Sequence, residues 1–275
     1  MGESFRKYIR GEVFTVKYAR DRSDMRGKEF HPFHEIIYFM GGDGCFISDS
    51  GRVELSAGMV MVIPKASYHQ LCITGGEEDY HRLVIHFDDV PALMPFLRRC
   101  GGVSVTRAGE TGDYLFGKVL ELYGSRADTA VREAVIFSAV TLWLSGVAGS
   151  AADIPPQAAH TAVTQCLTLI HEKLSDDLSV ASLAAELNLS PSALSHIFKR
   201  EMHISIYKYI LEKRLVLARE RILTGESATA AAAAYGFGDY SGFYRQYVKM
   251  FGTSPAARQK KESTAGDNPP EKENS

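Results

Sequence analysis

The sequence predicts an α+β protein of 275 residues: a β-rich N-terminal block forming a barrel or sandwich, a helical segment, then an all-α block. Three observations carry this expectation. Up to about residue 105, short apolar runs (EIIYFM, GCFIS, GRVEL, GMVMVIP, HRLVIHF) alternate with Gly, Asp and Pro, the texture of strands and tight turns. From residue 113 the apolar spacing lengthens to that of helices. Beyond residue 160 the pattern is helical throughout, and one stretch recurs 49 positions later.

Composition narrows the classes. An apolar share of 45% with 23% charged residues describes a globular chain able to bury real cores, not a disordered or membrane one. The start, MGESFRKYIRGE, lacks the apolar core of a secretory signal. The longest nearly uncharged run, AVIFSAVTLWLSGVA at 134–148, has 15 residues, short of the ~20 that span a bilayer. A buried or interface helix is expected there, and no membrane partner. Cys45, Cys72, Cys100 and Cys166 are scattered without a CxxC pair, which predicts reduced thiols in a cytoplasmic protein. Charge is uneven: residues 1–150 carry 17 basic against 19 acidic side chains, whereas 160–261 carry 13 against 9. A mildly basic block permits nucleic-acid binding without requiring it.

In chain order, Leu115, Val119 and Leu122 follow the helical i, i+4, i+7 spacing, and the long apolar helix comes next. Its Ile136, Val140 and Trp143 form a face that suits either a second copy of the chain or the flank of the N-terminal block. GSAADIPPQAA at 149–159, small residues with a Pro-Pro stop, reads as a linker. The polar, non-periodic tail at 262–275 is expected to be disordered.

Within 160–261 the helix signals are sharp. Ser179 is an N-cap, and Val180, Leu183, Ala184 and Leu187 mark one face of a short helix. Ser190 followed by Pro191 restarts the chain as a second helix. That helix keeps Leu194, Ile197 and Phe198 on one face and Ser192, Ser195, His196 and Lys199 on the other, the pattern of a helix-turn-helix. A shift of 49 positions carries Leu194, Phe198 and Ser205 onto Phe243, Tyr247 and Ser254. The outward set Ser192, Ser195, His196 and Lys199 becomes Ser241, Tyr244, Arg245 and Val248, and Tyr240 and Lys249 are expected at the DNA as well. Between the units YILEKRLVLARERIL (209–223) reads as one continuous helix. Two linked reader helices can enter successive major-groove turns about 34 Å apart. Arg245 suits bidentate contact with guanine, Ser195, His196, Ser241 and Tyr244 suit base edges or phosphates, and Lys199, Lys208 and Lys249 suit phosphates.

The matching residues LAAELNLSPSALSHIFKR, the basic helix with Arg214 and Ala218, and GFGDYSGFYRQYVKMFGTSP resemble the DNA-binding domain of the AraC/XylS family of bacterial transcription regulators. The resemblance covers roughly 80 residues, from about Ser179 to Arg258. Against the family pattern, Ala228 and Ala231 stand where large aliphatic residues are usual, and His203 stands where Gly is usual.

The N-terminal block carries a second resemblance. GMVMVIPKASYH (58–69) is similar to the second cupin motif, with Ala66 in place of its Gly, and HPFHE (31–35) sits where the first would lie. The resemblance therefore implies a cupin-like effector-sensing barrel at 1–105, a dimerisation region at 106–148 and a DNA-binding domain at 160–261. His31, Phe33, Glu35, Tyr38, His69 and His86 are the expected effector pocket. On a continuous strand His31, Phe33 and Glu35 would share a face while His34 points away, so metal donors are not expected to converge, and no metal or cofactor is assigned. The resemblance implies a ligand-responsive regulator, not an enzyme. Its expected partners are double-stranded DNA, a small-molecule effector such as a sugar or aromatic acid, a second copy of the chain, and RNA polymerase. The rival reading is a metal-dependent cupin isomerase or dioxygenase with a helical oligomerisation module.

Overall fold

Patterning of period two in the first third of the chain becomes a layered β-domain in the computed structural model, which describes residues 6–20, 30–74, 80–100, 102–147 and 160–256. The expected linker at 149–159 and tail at 262–275 lie outside the described residues. The strands are β1 (Arg6–Arg10), β2 (Phe14–Ala19), β3 (His34–Gly41), β4 (Gly44–Ser48), β5 (Gly51–Glu54), β6 (Met59–Ile63), β7 (His69–Ile73), β8 (His81–Phe87) and β9 (Ser104–Arg107). The chain divides into two compact units, residues 1–161 and 162–275, each described by itself.

In the first unit the strands form a six-stranded sheet, ordered β1-β2-β8-β3-β6-β9, and a three-stranded sheet, ordered β5-β4-β7. The two sheets do not join into the closed barrel that the cupin resemblance implied. β4, β5 and β7 hydrogen-bond among themselves, which leaves the larger sheet a separate layer. β6 is buried along its whole length, MVMVI, because both faces of its sheet are covered. On one face Ile37, Phe39, Met61 and Ile63 pack against Phe46 and Val53 of the small sheet. On the other, Ile36, Val60, Val62 and Ile85 pack against helices.

Those helices are α1 (Met94–Cys100), α2 (Gly109–Glu121) and α3 (Thr129–Val147). α1 falls in the stretch the sequence assigned to strands, and its one buried side chain, Leu97, leaves little periodic signal. α3 has 19 residues, longer than the uncharged run read from the sequence, and by length and composition alone it would pass for a membrane span. It buries Ile136, Ala139, Val140, Trp143 and Leu144, a stripe at i, i+3, i+4, i+7 and i+8, against the sheet and α2. The face offered as a dimer surface is thus consumed within the chain. α2 comes close enough for this only because Gly112 has no side chain: a Cβ there would lie 2.9 Å from Trp143 Nε1.

The second unit holds α4 (Thr161–Glu172), α5 (Val180–Glu186), α6 (Pro191–Met202), α7 (Ile206–Leu223), α8 (Ala228–Ala234) and α9 (Tyr240–Phe251). Five starts are capped by their own side chains: Ser179 accepts from Ser182 N, Ser190 from Ala193 N, Ser205 from Lys208 N, Ser227 from Ala230 N and Asp239 from Gly242 N. Each such cap satisfies an otherwise orphaned N–H, typically contributing ~1 kcal/mol. α6 and α9 have the same length, 12 residues, and the same 49-position offset read from the sequence. Both end in a left-handed residue, His203 at φ 58° and Gly252 at φ 71°.

Five consecutive alanines, Ala230 to Ala234, lie in α8. Ala231 and Ala232 are 0% and 2% exposed among Leu215, Ala218, Ile222, Phe243 and Tyr247. With alanine on both α7 and α8, the two helices close on each other and no large side chain is needed between them. Ala231→Ile therefore overfills this contact and is expected to cost ~1–3 kcal/mol in urea unfolding. His203→Gly removes the left-handed strain of an L-residue and is expected to raise stability by ~1 kcal/mol in the same measurement.

Candidate functional site

The first candidate site begins where β3 begins. The strand starts at His34, so His31 and Phe33 precede it and are free of its alternation. Their segment turns so that the His31 ring stacks on Phe33, with centroids 4.2 Å apart and planes within 5°. Glu35, inside the strand, projects toward the small sheet. It is the register partner of His86 on β8, and His69 opens β7 in the facing sheet.

Three imidazoles converge on that one carboxylate. His31 Nε2 and His69 Nε2 lie 3.1 and 2.9 Å from Glu35 Oε2, and His86 Nε2 lies 2.8 Å from Oε1. The Glu35 side chain is 9% exposed. Burial on its own would raise its pKa, but the charge of His69 and hydrogen bonds from His31, His69 and His86 outweigh that and hold the carboxyl well below the usual range. Ligand atoms of His31, Glu35 and His69 all lie within 4.8 Å of one another. The expectation that metal donors fail to converge is therefore corrected. It turned on His34, which does face away, whereas the donor that completes the group with His31 and Glu35 is His69, brought in by β7 of the facing sheet.

Of the six residues expected to line an effector pocket, His31, Phe33, Glu35, His69 and His86 come together, with the Phe33 ring 4.4 Å from that of His86. Tyr38 does not join them. It is an odd number of positions from Glu35 and so faces the helices, where it stacks on Phe116 at 4.9 Å and donates to Asp113 Oδ1 at 2.6 Å. Burial and the Asp113 carboxylate raise its pKa. His34, on that same face, accepts from Lys65 N at Nδ1 and meets Asp89 Oδ1 at 3.0 Å through Nε2.

The second candidate site is the outer face of the two reader helices. On α6 Ser192, Ser195, His196 and Lys199 are exposed while Leu194 and Phe198 are fully buried. On α9 Tyr240, Ser241, Tyr244, Arg245 and Lys249 are exposed while Phe243 and Tyr247 are buried. Tyr240 and Tyr244 are 40% and 41% exposed, large rings left in solvent one turn apart. Sequence periodicity missed Tyr207, 69% exposed at the start of α7, because a single aromatic in a first turn breaks no pattern.

α7 sets the spacing of the two units. Its Tyr209 packs edge-on against Phe198 of the first, and its Leu215, Ala218 and Ile222 join Phe243 and Tyr247 of the second. Arg214 adds a polar tie, donating to the carbonyls of Leu174 and Asp176 at 2.9 and 2.5 Å. Burial lowers the pKa of its guanidinium. At the turn between α8 and α9, Gly236 has φ 72°, and a Cβ there would stand 3.1 Å from that guanidinium. Both facts call for glycine.

The family comparisons agree with this division. A family model described as an AraC-like ligand binding domain matches residues 13–140, and one described as a helix-turn-helix domain matches residues 183–261. The Msm operon regulatory protein of Streptococcus mutans is 32% identical over 95 residues, 34% of each chain. The arabinose operon regulatory protein of Escherichia coli is 31% identical over 96 residues, 34% of this chain and 33% of its own. The match thus spans about a third of the length of these curated relatives. Among solved structures, the C-terminal domain of AraT, a response regulator from Geobacillus stearothermophilus, is 26% identical and covers 38% of this chain and 88% of its own, with a TM-score of 0.37. ToxT from Vibrio cholerae is 14% identical and covers 92% of this chain and 96% of its own, with a TM-score of 0.40. With an AraC-like ligand-binding domain matched ahead of a helix-turn-helix domain, the chain is similar in both parts to regulators of the AraC/XylS type.

Proposed function

We propose that the protein is a ligand-responsive, sequence-specific DNA-binding transcription regulator. The observation that carries the reading is the duplicated reader: α6 and α9, equal in length and offset by 49 positions, each bury one face and leave a polar, partly basic face in solvent. One short helix in a major groove contacts few bases, and two on one scaffold add their contacts without a further loss of freedom. Arg245 is the best placed for direct base readout, since its planar fork matches the two acceptors of guanine. Lys199, Lys208 and Lys249 fix the frame on phosphates, and exposed Tyr240 and Tyr244 offer hydroxyls and ring faces beside them.

In this reading the β-domain takes the small-molecule effector, with the cluster around Glu35 as the polar end of its site. A ligand that binds two domain arrangements with different affinity shifts their balance and thereby DNA occupancy. Sugars and aromatic acids fit such a site, with hydroxyl or carboxylate oxygens against imidazole donors. We infer further a cytoplasmic homodimer, with RNA polymerase as an additional partner.

Gel-shift competition with promoter fragments against random DNA tests the central claim, and equal affinity for both would refute sequence specificity. Arg245→Ala is expected to weaken binding to the preferred fragment by ~1–3 kcal/mol and to relax base choice at one position. Lys249→Ala is expected instead to weaken all sequences alike and to reduce the slope of log K against log salt by ~1.

A further inference from the structure

The ring nitrogens of the Glu35 cluster are oriented in an unusual way. His31 Nδ1 lies 2.7 Å from the carbonyl oxygen of Phe33, and His69 Nδ1 lies 3.5 Å from that of Ser67. A carbonyl can only accept, so each ring turns a protonated Nδ1 to the backbone. In the neutral tautomer Nε2 then carries a lone pair, and both Nε2 atoms face the same carboxylate oxygen at 3.1 and 2.9 Å. A lone pair does not attract a carboxylate, so each Nε2 meets Glu35 either through a second ring proton, as in the imidazolium that holds the carboxyl ionised, or through a cation shared by all three groups. His34 has the opposite arrangement, with Nδ1 accepting from Lys65 N and Nε2 directed at Asp89.

From this geometry we propose that His31 Nε2, His69 Nε2 and Glu35 Oε2 bind one divalent transition-metal ion of borderline softness, such as Zn²⁺, Co²⁺ or Ni²⁺. Metal-ligating histidines commonly donate the other ring N–H to a backbone carbonyl or carboxylate, which fixes the tautomer. Two imidazoles and a carboxylate suit these ions better than Mg²⁺ or Ca²⁺. Ligands at ~2.0–2.1 Å from a tetrahedral ion stand roughly 3.3 Å apart, so the two imidazole–carboxylate separations need to open by only a few tenths of an ångström, and the two ring nitrogens lie within 4.8 Å of each other. His86, held at 2.8 Å from Glu35 Oε1, is a positioning residue that keeps the carboxylate turned toward the two rings. Three protein ligands leave a fourth tetrahedral position for water or an oxygen donor.

The site does not rest on the regulator reading, and its test uses no DNA. Untagged full-length protein, stripped with chelator and re-equilibrated with Zn²⁺ or Co²⁺, is expected to hold one ion per chain by elemental analysis. The Co²⁺ form is expected to show the intense visible bands of a tetrahedral centre. His69→Gln and Glu35→Gln should each abolish stoichiometric binding and those bands. His86→Gln should weaken binding ~10–100-fold, as expected for a residue that orients a ligand. His160→Gln, a histidine outside the cluster, should leave both unchanged. Circular dichroism of the metal-free forms controls for folding, and if Glu35→Gln fails to fold, His69→Gln decides. No bound ion in the wild type, or stoichiometric binding that survives His69→Gln, overturns the proposal. Either result leaves the DNA-binding reading to stand or fall on its own measurements.

Discussion

A carboxylate buried between two sheets cannot be left alone, and that constraint organises the sensor domain. An isolated buried charge is costly enough that it demands partners with good geometry. Glu35 obtains them from three directions: from the turn before its own strand, from its neighbour β8 and from the facing sheet. Satisfying it therefore pins the entry to β3, the start of β7 and the end of β8 at one point. The Ala66 turn that delivers His69 sits at φ 61°, and Ala66 N bonds to the carbonyl of His31, so the two histidine-bearing segments are also tied through their backbones. The polar group that threatens the core thus becomes the node that joins its layers.

The second unit meets a different constraint. α7 must present apolar residues to helices on two sides, so its polar and apolar residues are not sorted into one clean stripe. One set seats the first reader unit through Tyr209, and another seats the second through Leu215, Ala218 and Ile222. A helix committed on both sides has little freedom to rotate, so the offset between α6 and α9 follows from its length and packing. The five alanines belong to this logic: side chains of minimal volume let a seven-residue helix pack closely on α7, with Ala218, Ala231 and Ala232 buried in one cluster. What resembles low complexity in one dimension is close packing in three.

Sequence alone determined the second unit almost completely. Its signals are local: Ser179, Ser190 and Asp239 each cap a helix three residues before the N–H they accept, Pro191 opens α6, and Leu194 with Phe198 marks a face at i, i+4. Interactions that close within one turn are written in adjacent letters, and the duplication wrote them twice. The sequence also determined which side chains of α6 and α9 meet solvent, because burying one face of a short helix exposes the other.

Tertiary structure decided the rest, and the reason is distance along the chain. Whether HPFHE was one strand or a turn followed by a strand depends on β8 and β6, which pair with β3 from residues 34 and 35 onward and lie far away in sequence. His34 faces away from the cluster either way, and it is His69, from the facing sheet, that reversed the reading of the metal donors. Joining His31 and Glu35 to His86 required β8 to pair with β3, and joining them to His69 required two sheets to face each other; no spacing motif encodes either approach. Tyr38 and the Ile136–Trp143 stripe were similarly undetermined, since an apolar face in sequence does not name its partner. Only the folded chain shows Tyr38 turned to Asp113 on α2, and the α3 stripe already spent on the protein's own sheet.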